Sequence, residues 1–237
     1  MRITILTQYY KPEMGAPQNR LSEMAIGLKE FGWDVEIITA LPNYPKCKIF
    51  NAYQGKFKMR EYIDSIPVIR YWLYPSNSKK AFPRIISMLS FSFTVLLSVF
   101  HLIKRKSDFI IVESPPLTLG FSGYLLSKLS KSKLIINISD LWPLSAKELG
   151  AISEGKIYRF LEKMEMFLYK KSMICMGQSQ EITDYIQKRK KSNIYLFRNG
   201  VSPDRFKPGT FVNKLTNKTL IVYSGLLGVA QGIFDIC

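Results

Sequence analysis

The chain has 237 residues, of which 47% are apolar and 13% aromatic, so it can bury a sizeable core in one large or two small domains. The 34 Lys and Arg residues outnumber the 18 Asp and Glu residues, which favours anionic partners: nucleic acid, a membrane surface or phosphate-bearing substrates. Three distant cysteines and one histidine argue against a Cys/His zinc site or a disulfide framework, and the apolar run before Thr7 is too short to predict a secretory signal.

Short, nearly continuous apolar runs predict β-strands that are covered on both faces. They lie at 2–7, 34–39, 67–72, 108–112, 133–138, 172–176 and 193–197. Helical periodicity predicts a helix around Leu21–Leu28 that stops near Gly32, and further helices over 117–129, 156–169 and 180–189. This alternation predicts an α/β fold, a Rossmann-like doubly wound parallel sheet.

A boundary is predicted where Pro203, Pro208 and the polar run 213–218 interrupt the pattern. We therefore expect a complete domain over 1–205, a linker over 206–218 and the truncated start of a second domain over 219–237. The last part holds one predicted strand, 219–224, and a glycine-rich loop, which together are too short to bury a core of their own.

The unusual residues follow the predicted strands, where doubly wound sheets bind their ligands. Prolines, aromatic residues and lone carboxylates fill the loops 8–17, 41–45, 113–117 and 139–143. Proline and glycine at element ends explain any single loop equally well. Four such loops on one edge predict a binding cleft.

Three residues of these loops have both a functional and a structural interpretation. Gly15 can adopt a positive φ and let the backbone approach a phosphate or sugar at the start of the next helix. Asp140 is either a general base, a ligand of a sugar hydroxyl, or a cap of the following helix. Trp142 offers a flat face to a sugar ring or lipid, or it packs in the core.

Four segments together carry a family resemblance that covers nearly the whole chain. They are QYYKPEMGAPQNRLSEMAIGLKEFGWDVEIITALPNYP (8–45), SPPLTLGFSGYLLSKL (114–129), ISDLWPLSAKELGAI (138–152) and FRNGVSPDRFKPG (197–209). They resemble the amino-terminal half of the family 4 GT-B glycosyltransferases. The bacterial branch that builds O-antigen, capsule and colanic-acid-type polysaccharides, including fucosamine transferases, is the most similar.

The resemblance implies a retaining transfer from a nucleotide-sugar, without a metal or other cofactor. It places the acceptor beside the amino-terminal domain, with Gly15 and Ala16 near the transferred sugar or diphosphate and Asp140 orienting a sugar. The other implied substrate-binding residues are Asn43, Ser114, Trp142 and Asn199.

The resemblance also implies that the nucleotide-sugar is held by a second domain, with a donor loop at Gly225 and Gly228. That loop lacks the Arg and Lys that clamp the donor diphosphate in many family members, and the chain ends before an E-x7-E motif. We therefore expect the chain alone to be inactive. His101 lies outside the segments where the family places a histidine, and no catalytic role is assigned to it.

The segment 85–103 has 19 residues without a charge, and it admits three interpretations. It is a buried crossover helix, a helix on the sheet that dips an apolar face into an anionic membrane surface, or a transmembrane span. Serine, threonine and histidine at steps of three or four argue against a span. The residues expected at a membrane surface are Phe82, Phe91, Phe93 and Phe100, with Lys79, Lys80 and Arg84.

We expect this protein to be the acceptor-side part of a glycosyltransferase for surface polysaccharides. Relatives act on acceptors linked to undecaprenyl diphosphate, which implies a cytoplasmic location at the inner face of the plasma membrane. The alternative is a Rossmann-like nucleotide-binding module without transferase activity. Charge alone would allow nucleic-acid binding, but no recognisable motif supports it.

Overall fold

The computed structural model describes residues 1–76, 78, 81–189, 193–200 and 222–223. The strands are β1 (Arg2–Leu6), β2 (Asp34–Ala40), β3 (Lys58–Ile63), β4 (Ile66–Tyr71), β5 (Phe109–Ser114), β6 (Lys133–Ile138), β7 (Ile174–Gly177) and β8 (Ile194–Leu196). The helices are α1 (Ala16–Glu30), α2 (Ala81–Thr94), α3 (Val99–Lys104), α4 (Leu117–Ser130), α5 (Leu144–Glu148), α6 (Lys156–Lys171) and α7 (Gln180–Gln187). A short 3₁₀ segment, Val95–Ser98, joins α2 to α3.

The described strands form one sheet in the order β3-β4-β2-β1-β5-β6-β7-β8. Every neighbouring pair is parallel except β3 and β4, which form an antiparallel hairpin at one edge. The seven strands predicted within the described ranges are all present, and β3 is the strand that the prediction missed. The strand predicted at 219–224 and the domain limits at 205 and 218 lie outside the described residues, apart from Val222 and Tyr223.

Helices cover the sheet on both faces, which confirms the doubly wound α/β architecture. Helix α1 packs Leu21 and Ala25 against Ile5 and Ile37 on one face. The other face carries α2, α3, α4, α6 and α7 over a second apolar core. Because the inner strands β1, β2, β4, β5, β6 and β7 contribute residues to both cores, both of their faces are apolar, as their sequences predicted.

The first helix ends as its sequence predicted. Phe31 follows the last helical residue and Gly32 adopts φ 82°, the left-handed conformation that glycine tolerates. The N–H of Gly32 bonds to the carbonyl of Lys29 at 2.9 Å, which satisfies one of the last carbonyls of α1.

Glycine brings α4 close to the sheet, and this contact yields a stability prediction. A Cβ at Gly123 would lie 2.3 Å from Cγ2 of Val112 in β5, so Gly123→Ala should destabilise the protein by about 1–3 kcal/mol. Gly27 in α1 has nothing within 4 Å of the same position, so Gly27→Ala should stabilise by about 0.5–1 kcal/mol. Urea unfolding of both variants measures the contrast, and equal effects would contradict this packing.

Candidate functional site at the carboxyl edge of the sheet

The chain runs outward from β1 in one direction and returns to start β5 on the other side, so the strand order reverses between these two neighbours. In open α/β sheets the crevice at such a reversal binds ligands. Gly15 and Ala16 follow β1, Asn43 follows β2, Ser114 ends β5 and Asp140 follows β6. The sequence-predicted residues thus lie at the carboxyl ends of four adjacent parallel strands.

Not every predicted residue joins this group. Asn199 follows β8 at the same edge, but β8 is separated from β1 by four strand spacings, or about 19 Å. Gly225 and Gly228 lie outside the described residues.

A buried carboxylate, Glu13, joins the loops that follow β1 and β2. Its Oε1 accepts the backbone N–H groups of Asn43 at 2.7 Å and Tyr44 at 2.8 Å, and its Oε2 accepts the N–H of Tyr10 at 3.2 Å. Burial raises the pKa of Glu13 from 4.5 to about 7, although the three N–H donors and Arg70 favour the charged form. Asn43 is itself buried and donates to Glu13 through both its backbone N–H and, at 3.4 Å, its side-chain Nδ2.

Arg70 in β4 also contacts the chain at the carboxyl ends of β1 and β2. Its fully buried guanidinium donates to the carbonyl of Ala40 at 3.1 Å, to the carbonyl of Lys11, and to the carboxylate of Glu61 in β3. Since Lys11 and Ala40 belong to the β1 and β2 sides of the edge, one cation holds both loops to β4.

A second buried polar cluster lies at the strand reversal itself. Arg20 in α1 forms an ion pair with Glu113 in β5, and Nδ2 of Asn137 in β6 donates to Glu113 at 2.6 Å. Arg20 also donates to Gln178, which follows β7, at 3.1 Å. Burial raises the pKa of Glu113, and Arg20 and Asn137 offset part of that rise.

Three atoms of this cluster are buried without a hydrogen-bond partner among the described residues: Nε of Arg20, Oδ1 of Asn137 and Nε2 of Gln178. Unpaired buried polar atoms are rare because each costs about 1–3 kcal/mol. They are three of the ten such atoms among the described residues.

Asp140 and Trp142 differ in their surroundings. Asp140 is exposed, and its Oδ2 accepts a hydrogen bond from the Ser145 hydroxyl at 3.0 Å. Trp142 is half-buried against the apolar core, which matches the packing interpretation. Beside them, the N–H of Ser139 bonds to the carbonyl of Ser114 at 3.0 Å, so the ends of β5 and β6 stay paired.

The positive φ expected for Gly15 is wrong, because its φ of 170° is extended backbone that any residue adopts. Its missing side chain matters for another reason. A Cβ there would meet Oε1 of the buried Gln18 at 2.5 Å. The close approach at Gly15 is therefore to the first turn of α1.

A model of the Glycosyl transferase 4-like domain family matches residues 15–199. The chain belongs to this family. The match covers α1, the strand reversal and every buried polar group described above except Glu13.

Within the curated proteins, the chain is 25% identical over 251 aligned positions to WcaI of Escherichia coli (strain K12), named as a colanic acid biosynthesis glycosyl transferase. The alignment spans 100% of this chain and 61% of that protein. The chain thus spans less than two thirds of the relative's length.

Solved structures show the same fold at low identity. Sucrose-phosphate synthase from Thermosynechococcus elongatus superimposes with a TM-score of 0.61 at 13% identity, over 88% of this chain and 50% of that one. Anabaena Alr3699/HepE in complex with UDP-glucose gives 0.55 at 12% identity, over 89% and 47%. These similarities confirm a Rossmann-like fold of the GT-B type, of which this chain spans about half.

The residues at this edge that sequence reasoning missed are Glu13, Arg20, Arg70, Asn137 and Gln178. Two of them could have been found from the sequence. Asn137 interrupts the apolar strand LIINI, and Arg20 lies on the buried face of α1. Among the described residues, no group of three or more His, Cys, Asp or Glu side chains is arranged to hold a metal.

The raised pKa of Glu13 predicts a pH-dependent stability. Between pH 4.5 and about 7 the folded protein holds this proton more tightly than the unfolded chain, so stability falls as the pH rises through that window. Glu13→Gln keeps a side-chain acceptor but does not titrate. Its stability relative to wild type should rise by on the order of 3 kcal/mol from pH 4.5 to pH 7. Chemical unfolding across this range tests it, and parallel pH profiles would contradict the assignment.

The buried ion pair predicts strong non-additivity. Arg20→Met should cost about 3–5 kcal/mol, because it leaves the Glu113 carboxylate buried without its cation. The double variant Arg20→Met with Glu113→Met removes both charges and should recover most of that loss. Denaturant unfolding of the single and double variants measures the coupling, and additive losses would show that the pair does not couple.

Proposed function

We propose that this chain is the amino-terminal, acceptor-side part of a retaining glycosyltransferase. The enzyme would transfer a sugar from a nucleotide-sugar to a lipid-linked or polysaccharide acceptor during the synthesis of surface polysaccharide. Membership of the Glycosyl transferase 4-like family and the likeness to WcaI support this reaction class. The single observation that carries it is the convergence of four loops on the strand reversal at one edge of the sheet.

The start of α1 suits an anionic part of the substrate. Gly15 precedes the helix, Ala16 is exposed, and no side chain caps the first turn, which also holds no acidic residue. The N–H groups and the positive end of a 15-residue helix therefore favour a diphosphate at this place. Such donors would stabilise the charge of the departing nucleotide diphosphate.

Asp140 supplies a second polar function at the same edge. Its carboxylate is exposed and bonded only through Oδ2 to Ser145 in the described residues, so it can accept hydrogen bonds from sugar hydroxyls. Held at the end of β6, it would position a sugar for reaction. Because the chain covers 61% of WcaI, we assign the nucleotide-sugar itself to the complete enzyme, and we expect no transfer by these residues alone.

The proposed acceptor is a sugar carried on undecaprenyl diphosphate, which places the enzyme in the cytoplasm at the inner face of the plasma membrane. The net charge of +16 and the exposed apolar side chains of segment 85–103 both support contact with an anionic membrane.

Binding by the chain tests the acceptor-side assignment. A water-soluble analogue, N-acetylglucosamine linked to farnesyl diphosphate, should bind in calorimetric titration. Asp140→Asn should weaken it about tenfold through loss of a charged hydrogen bond. Asp108→Asn, an exposed aspartate at the opposite edge of the sheet, should leave the affinity unchanged and serves as the matched control. Failure of the analogue to bind, together with binding of NAD or a free nucleotide, would favour a nucleotide-binding module without transferase activity.

A further inference from the structure

The apolar segment 85–103 forms helices α2 and α3, and its polar residues face inward. The hydroxyl of Thr94 donates to the carbonyl of Trp72 at 2.6 Å, and Nε2 of His101 lies 2.8 Å from Oε2 of the buried Glu36. The hydroxyl of Ser90 accepts the N–H of Tyr74 at 2.8 Å. The polar stripe thus forms hydrogen bonds with β2 and with the chain that follows β4. These contacts identify the segment as a crossover helix and exclude a span through lipid.

Large apolar side chains occupy the opposite, solvent-facing side. Phe93 is 67% exposed and Phe100 is 74% exposed, with Leu97 and Ile103 exposed between and beside them. The core-facing side of this segment buries apolar residues as well, so the exposed side chains are apolar surface beyond what packing on the sheet requires. Phe91, which the sequence predicted for the membrane surface, is fully buried in the core, so that part of the prediction is wrong. Lys79 and Lys80, and the side chains of Phe82 and Arg84, lie outside the description.

Helix α4 extends this exposed surface. Thr118 and Ser122 in α4 both bond to Ser92 in α2, so this side of α4 faces α2. Leu125 and Leu129 follow on the same side of α4 and are exposed. We call the surface formed by six residues the apolar face; they are Phe93, Leu97, Phe100, Ile103, Leu125 and Leu129.

The charged residues on the helices that carry the apolar face, and directly after α3, are basic. None of α2, α3 and α4 contains an acidic residue, and Lys104, Arg105 and Lys106 follow directly after Ile103 in exposed positions. Lys128 and Lys131 lie at the end of α4, also exposed. A second copy of this chain would bring equal positive charge against this cluster, whereas an anionic bilayer would neutralise it.

From these observations we propose that the apolar face is a docking surface for an anionic lipid bilayer. Its aromatic and aliphatic side chains enter the boundary between headgroups and acyl chains, and Lys104–Lys106 bind the lipid phosphates. The inference deepens the proposed function and rests on it for the identity of the membrane, but the binding itself is measured without any sugar transfer.

The position of α2 relates this surface to the carboxyl edge of the sheet. Ser92 bonds to Thr118 in the first turn of α4, which begins at that edge, and the first 11 residues of α2, an extension of about 16 Å of helix, precede Ser92. Ile85, Ile86 and Met88 are exposed on this extension. A lipid held there lies beside the crevice at the strand reversal.

Vesicle flotation of the 237-residue chain tests the proposal. The chain should bind vesicles of phosphatidylglycerol and phosphatidylethanolamine, bind phosphatidylcholine vesicles far less, and dissociate as salt is raised. The double variant Phe93→Ser with Phe100→Ser should bind at least tenfold less. Phe31→Ser, at a residue 85% exposed after α1 on the other face of the sheet, should bind like wild type.

The basic residues have a matched control of equal composition. Changing Lys104, Arg105 and Lys106 to Gln should weaken partitioning about a hundredfold, because each basic residue near the surface contributes a factor of about five. The same change at Lys56, Lys58 and Arg60, exposed on the β3 hairpin, should have a small effect.

Two results would overturn the proposal: no salt-sensitive binding to anionic vesicles, or equal losses in the test and control variants. Light scattering provides a further check, since a dimer that Phe93→Ser with Phe100→Ser dissociates would assign the apolar face to a second copy instead. Retained binding of the farnesyl-linked analogue in variants that no longer bind vesicles would separate docking from the acceptor site. Circular dichroism confirms that each variant is folded.

Discussion

The buried pair of Arg20 and Glu113 holds α1 across the point where the strand order reverses. Without a cation at this place, the buried carboxylate of Glu113 would keep the Asn137 amide as a donor but would lack a counter-ion. With it, the start of α1 and the ends of β5 and β6 keep one arrangement, and Gln178 extends the contact to β7. The buried cluster around Arg20 and Glu113 therefore fixes the base of the crevice, and the loops after the strands line its sides.

The loops that follow β1 and β2 are held by a different kind of contact. Glu13 and Arg70 bond mainly to backbone groups, which do not vary with side-chain identity. Such contacts fix the path of the β1 and β2 loops, and the Asn43 side chain adds hydrogen bonds to Glu13 and to the carbonyl of Leu41. Side chains that hold the loops together are thus buried, whereas Ala16 and Asp140, which we propose contact the substrate, are exposed.

Most of the fold could be predicted from the sequence because parallel strands buried on both faces are nearly continuous apolar runs. Strand β3, KMREYI, escaped because it is an antiparallel edge strand whose residues alternate between exposed and half-buried. Its turn uses Asp64 and Ser65, both with positive φ, rather than the Asn-Gly or Asp-Gly that signals a hairpin. The loops of the site were predicted as a group, but the pairing of Arg20 with Glu113 joins residues 93 positions apart and needed coordinates.

The same limit applies to the apolar segment, whose composition could not say which side faces water. The spacing of serine, threonine and histidine predicted a polar stripe, and an amphipathic surface helix normally exposes its polar stripe to water. The structure turns the stripe toward the sheet, where His101 bonds to Glu36, buried in β2, and Thr94 bonds to the carbonyl of Trp72. The same inward side buries Phe91, Val95 and Leu102 in the core. Phe93 and Phe100 remain on the exposed side, so the segment is apolar toward both the core and the solvent.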